Sequence, residues 1–101
     1  MSSSMKSLRE CLSLEYVRSL ATASNLRLGR EIVKSHGVEF IEIGPCVAVA
    51  RVQPEGGVSR TTELRLTKQG LAWKCTCTST RLFCKHCVAL AITARDKLAD
   101  S

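Results

Sequence analysis

The apolar residues of this chain change period twice. Between residues 8 and 23, Leu8, Leu12, Tyr16 and Leu20 recur four apart, with Val17 and Ala21 beside them. That interval places them on one stripe of an α-helix and predicts a helix over roughly 8–23, with a possible break near Ser13. Ser7 followed by Glu10 has the spacing of a capping box, which suits a helix start here. The stripe reads as a core face. Ser24-Asn25 and Gly29 read as a connection.

After this connection the period falls to two and β-branched residues take over. VEFIEI (38–43) and CVAVARV (46–52) predict strands joined across Gly44-Pro45, with the proline opening the second strand. Pro54-Glu55-Gly56-Gly57 predicts a turn. RTTELRLTK (60–68) puts Thr62, Leu64 and Leu66 on one face and Thr61, Glu63 and Arg65 on the other, the pattern of a half-buried strand. Beyond Lys68-Gln69-Gly70, LAWKCTC (71–77) carries Leu71, Trp73, Cys75 and Cys77 on one side. The helical period then returns. Cys87, Ala91, Ala94 and Leu98 share a stripe flanked by Val88 and Ile92, which predicts a helix from about 85 to 98. The expected fold is α+β: an N-terminal helix, a small antiparallel β-meander, and a strand-to-helix finger with a C-terminal helix. Residues 7–101 are expected to form one domain behind a flexible 1–6.

Composition bounds this picture. A chain of 101 residues builds a modest core, and domains of that size often add a metal or disulfides. Its 45% hydrophobic and 24% charged content suits a folded chain. The aromatic residues are only Tyr16, Phe40, Trp73 and Phe83, which disfavours a base-stacking platform. MSSSMKSLRECLSLEY has no apolar signal region, and the runs VAVAR and VALAITAR stop at Arg51 and Arg95. The expectation is an intracellular chain, cytoplasmic or, in a eukaryote, nuclear, with no membrane partner. In such a compartment clustered cysteines point to metal rather than disulfides. The net charge of +6 suits nucleic acid, an acidic protein partner or plain solubility. Its Lys and Arg residues are scattered, so charge alone does not choose among these.

The candidate chemistry lies in WKCTCTSTRLFCKHCVALAI (73–92). Four of the six cysteines and one of the two histidines fall between Cys75 and Cys87, five candidates for the four places around a tetrahedral zinc. Cys75 and Cys77 are two apart, so on a strand they share a face, and a bend at Thr76 would bring both sulfurs to one ion. Cys84 and His86 can share an ion if Cys84 precedes the last helix and His86 sits in its first turn. The helix start would then favour the thiolates through its dipole. Cys84 with Cys87 is the alternative, an ordinary CxxC pair. Cys87 lies on the apolar stripe, where a thiol packs as a small hydrophobe, and that favours His86. Spacing admits both. Cys11 and Cys46 read as core residues and His36 as a turn residue. Trp73 reads as packing against the site rather than stacking on a base.

Cys-x-Cys, a spacer, and Cys-x-His at a helix start resemble the SWIM-type zinc fingers. Trp73 before the first pair and Phe83-Cys84-Lys85-His86 (FCKH) extend the resemblance, as does the apolar helix that follows. Upstream, Tyr16, Arg18 and Gly29-Arg30 are similar to elements of bacterial members. Cys87 departs from the pattern, because an aliphatic residue is more usual there. The resemblance implies one zinc ion on Cys75, Cys77, Cys84 and His86. It also implies a role in DNA binding or protein interaction, as a subunit or adaptor beside a helicase-like ATPase or a recombination factor. Lys74, Arg81, Lys85 and Arg95 lie around the metal half and are candidate nucleic-acid contacts, Lys85 at a helix start where phosphates bind readily. Catalysis is not expected. Four protein ligands would fill the zinc shell, and residues 73–95 contain no Asp or Glu to act as a base. No small-molecule substrate is expected either.

Overall fold

The structure, a computed structural model, describes residues 7–77 and 83–99. Residues 1–6, expected as a flexible tail, lie outside the described residues. The chain opens with three helices where the apolar period predicts one: α1 (Leu8–Cys11), α2 (Leu14–Leu20) and α3 (Ala23–Lys34). Side-chain caps cause the division. Ser7 and Glu10 form the expected capping box. Ser13 is in extended conformation and its Oγ accepts the Tyr16 N–H at 3.2 Å. Thr22 does the same for Asn25 at 3.1 Å. Each cap stops one helix and starts the next by satisfying a backbone donor that would otherwise be free. The expectation of a connection over Ser24-Asn25 and Gly29 is therefore corrected, since all three lie within α3. The stripe itself survives the breaks, with Leu8, Leu12 and Val17 buried.

The end of α3 confirms His36 as a turn residue. The His36 N–H donates to the Val33 carbonyl and the Gly37 N–H to the Ile32 carbonyl, each at 3.0 Å. His36 takes φ 59°, the left-handed conformation of a Schellman cap. From there the chain enters β1 (Val38–Ile43), β2 (Val47–Val52), β3 (Arg60–Thr67) and β4 (Gly70–Cys75). These form an antiparallel meander in the order β1-β2-β3-β4, with an irregularity in β1 between Phe40 and Glu42. The predicted strands agree with these bounds to within two residues, and the largest difference places Cys77 beyond the end of β4.

The last element, α4 (Lys85–Ala99), packs on the sheet and on the three N-terminal helices. Cys87, Val88, Ala89, Leu90 and Ala91 are all fully buried, so this stretch is surrounded rather than one-sided. Ala48, Ala50, Val52, Thr62 and Leu64 of the sheet are also fully buried, and they join α4 in one core. Small side chains let the helix sit close to its neighbours. The closest approach is at Gly29, where an ideal Cβ would stand 2.5 Å from Val88 Cβ. The α3 and α4 axes run in the same direction. Gly29 faces Lys85 and Val88, while Val33 and Lys34 share a groove with Ile92 and Arg95 four to seven residues further along α4.

Candidate metal centre

The four candidate ligands come from two elements whose ends meet. Cys75 is the last residue of β4, paired across the ladder with Thr62 of β3. The strand stops there, Thr76 and Cys77 bend away, and this turn brings the second sulfur around. Backbone contact with β3 holds the turn: the Thr76 N–H donates to the Thr61 carbonyl and the Thr61 N–H to Thr76 Oγ1, both at 3.1 Å. On the other side, Cys84 precedes α4 and His86 is its second residue, as a shared ion requires.

The ligand atoms of Cys75, Cys77, Cys84 and His86 all lie within 4.8 Å of one another. Cys77 Sγ is 3.6 Å from Cys84 Sγ, and Cys84 Sγ is 3.6 Å from His86 Nδ1. Zinc distances of about 2.3 Å to sulfur and about 2.0 Å to nitrogen give a tetrahedron with edges of about 3.5–3.8 Å. Two edges therefore already match, and no pair has to close by more than about 1.3 Å. The arrangement fits one zinc ion with all four places taken by protein atoms.

Cys87 stays outside this group. It is fully buried, and its Sγ lies 3.8 Å from Cys84 Sγ, but it does not join the cluster of four. Spacing admits both second pairs, and geometry selects His86.

Hydrogen bonds within the cluster and burial shape the thiols. Hydrogen bonding from Cys84, followed by burial, pushes the Cys75 thiol up. For Cys84 the largest influence, the hydrogen bond to Cys75, acts downward. The hydrogen bond to Cys87, burial and the nearby Cys87 charge outweigh it and push Cys84 up to about 11. Without a cation these influences favour the protonated thiol at Cys75 and Cys84. A divalent ion at the centre of the cluster supplies the charge that reverses this.

Residues 51–95 match the family model described as SWIM zinc finger. This chain carries a SWIM zinc finger. The match begins at the end of β2 and runs through β3, β4 and most of α4, so the four ligands lie inside it. No curated protein and no solved structure matches the chain.

Two supports of the finger sit next to the ligands. Trp73 packs edge-on against Phe83, with ring centroids 5.1 Å apart and planes at 88°, as the packing reading of Trp73 expects. The second support is absent from the sequence reading, which takes Thr62 only as a core-facing strand residue. Thr62 is fully buried and its Oγ1 lies 3.4 Å from Cys75 Sγ. Its hydroxyl can donate to the metal-bound thiolate and fix its direction. The only sequence signal would have been a polar residue on the apolar face of a strand.

Of the four candidate nucleic-acid contacts, the three that are described do not gather at one place. Lys74 is exposed and stands opposite Glu63 in the β3–β4 register. Arg81 lies outside the described residues. Lys85 is half-buried and opens α4, beside a cleft of about 520 Å³ lined also by Arg60, Glu55, Cys77 and His86. Arg95 is exposed ten residues further along α4, about 15 Å away at 1.5 Å per residue. Among the described residues no helix is long and apolar enough to cross a membrane.

Proposed function

We propose that this chain is an intracellular, zinc-stabilised binding module without catalytic activity, and that the cleft beside the metal corner contacts the backbone of nucleic acid. The observation that carries the reading is that Lys85, at the start of the 15-residue α4, and Arg60 line the same cleft. Two cations and a helix N-terminus favour phosphate. Glu55 shares the cleft, so the electrostatic attraction is moderate. The structural role of zinc follows from the filled shell, which leaves no open position for water.

Titration of the zinc-loaded chain with a DNA duplex across a salt series tests this. Each phosphate contact contributes a slope of about −0.9 to log K against log salt. Lys85→Ala and Arg60→Ala should each reduce the slope by about 1. No binding at low salt removes the reading.

A second reading, a protein adaptor for a partner such as a helicase-like ATPase without DNA contact, is favoured by a separate apolar groove on the helical side of the molecule.

A further inference from the structure

That groove lies between α2, α3 and the later turns of α4, away from the metal corner. It measures about 320 Å³. Its apolar wall is formed by Leu12, Leu14, Val17, Val33 and Ile92, of which Leu12 and Val17 are buried while Leu14, Val33 and Ile92 remain partly open. Its rim is cationic: Arg30, Lys34 and Arg95 line it, all three exposed, and among the described residues no acidic one joins them. None of the three has a carboxylate partner among the described residues, where the ion pairs involve Arg27, Arg51 and Arg65 instead. An open apolar floor beneath three unpaired cations favours a ligand that is apolar in the middle and anionic at its edges.

We propose that this groove binds an acidic amphipathic helix of a partner protein, which places large aliphatic or aromatic side chains on the floor and Asp or Glu against Arg30, Lys34 and Arg95. The proposal rests on the adaptor reading and names the chemistry of its partner. Charge complementarity selects this occupant. A second copy of the chain is a poor match, because the chain carries 15 Lys and Arg against 9 Asp and Glu. Residues 1–6 are a poor match as well, since MSSSMK has no carboxylate side chain. Nucleic acid would use the cations but leave the floor uncovered. A helix of i, i+3, i+4, i+7 pattern uses both, in the manner of other helix-in-groove complexes.

The test uses the zinc-loaded full chain and two synthetic helix-forming peptides, both with Leu at i, i+3, i+4 and i+7. One carries Glu on its flanks and the other Gln at the same positions. Titration is followed by amide chemical shifts and by fluorescence anisotropy. The acidic peptide should shift Val33, Lys34, Ile92 and Arg95 and bind roughly tenfold or more tighter than the Gln peptide, a difference that added salt reduces. Lys34→Glu and Arg95→Glu, both at exposed positions, should each weaken the acidic peptide severalfold and leave the Gln peptide unchanged. Equal affinity for the two peptides overturns the proposal. So does displacement of the acidic peptide from these residues by a DNA duplex, or concentration-dependent dimerisation through the same residues. Peptide shifts confined to another surface overturn the groove and leave the adaptor reading standing. No binding of either peptide overturns both.

Discussion

Replacing Gly29 by alanine tests the packing that places the metal centre. On an exposed helical surface the change would stabilise by about 1 kcal/mol, because glycine carries that penalty in a helix interior. At Gly29 the new Cβ would stand 2.5 Å from both Val88 Cβ and Val88 Cγ1, and 3.0 Å from the Lys85 carbonyl oxygen. Carbon atoms rest at about 3.5–4.0 Å, so α3 and α4 would have to part by about 1 Å. Rotating Val88 cannot provide this, since its Cβ is itself in the way and the other obstacle is main chain. Overpacking costs about 1–3 kcal/mol, and a clash with backbone and a Cβ belongs at the upper end. Subtracting the propensity gain of about 1 kcal/mol leaves a net loss of about 2 kcal/mol, or a fall in melting temperature of about 10 °C for a domain of this size. Zinc affinity should fall as well, because Lys85 and His86 share the turn that has to move. The measurement is denaturation of the zinc-saturated chain followed by far-ultraviolet circular dichroism, with Arg27→Ala and Arg27→Gly as an exposed pair on the same helix. That pair should differ by about 1 kcal/mol in favour of alanine. If Gly29→Ala stabilises by a similar amount, the close approach of the two helices is wrong.

Other consequences concern the ligands. Cys84→Ser and His86→Ala should abolish tight binding of one zinc ion and expose the amides of residues 83–90 to rapid exchange. Cys87→Ala should keep the zinc and lose only about 1 kcal/mol, as expected of a small buried side chain. Metal stoichiometry separates the two cases, and a zinc-free Cys87→Ala beside a zinc-loaded His86→Ala would refute the assignment. Thr62→Val, nearly isosteric, should preserve stoichiometry but weaken zinc about tenfold, as losing a donor to a ligating atom does elsewhere. An unchanged affinity would give Thr62 no role at the metal.

The response to pH should change sign with the metal. In the metal-free fold Cys84 titrates at about 11 against an ordinary value of 9.0, so its contribution is fully present below pH 9 and is lost as pH rises towards 11. Cys75 is shifted in the same direction. Zinc needs both as thiolates, so the loaded protein is instead destabilised by acid. Two released protons make zinc affinity rise at least about a hundredfold per pH unit between pH 6 and 8. Competition with a chromophoric chelator at pH 6, 7 and 8 measures this, and a flat profile would contradict it.

Much of this molecule can be read from local spacing. The alternation over 60–66 fits β3, with Thr62 and Leu64 fully buried, and Cys75 and Cys77 followed by Cys84 and His86 mark one metal centre. These signals are legible because side-chain direction on a strand or in a helix's first turn depends on a few neighbouring residues. The capping box at Ser7 is legible for the same reason, and Ser13 and Thr22 use the same chemistry to divide the expected first helix. Other features depend on residues far apart in the chain. Gly29 has the character of a breaker in isolation, yet it lies inside α3 because Val88, 59 residues later, leaves no room for a side chain. Cys87 could serve as a ligand by spacing alone, and its place in the core follows from how α4 is enclosed by sheet and helices. Thr62 meets Cys75 through the β3–β4 register, and Lys34 meets Arg95 at one groove because α3 and α4 lie side by side. Backbone propensity and ligand spacing act over a few residues. Close packing, register and shared grooves arise only once distant segments are brought into contact.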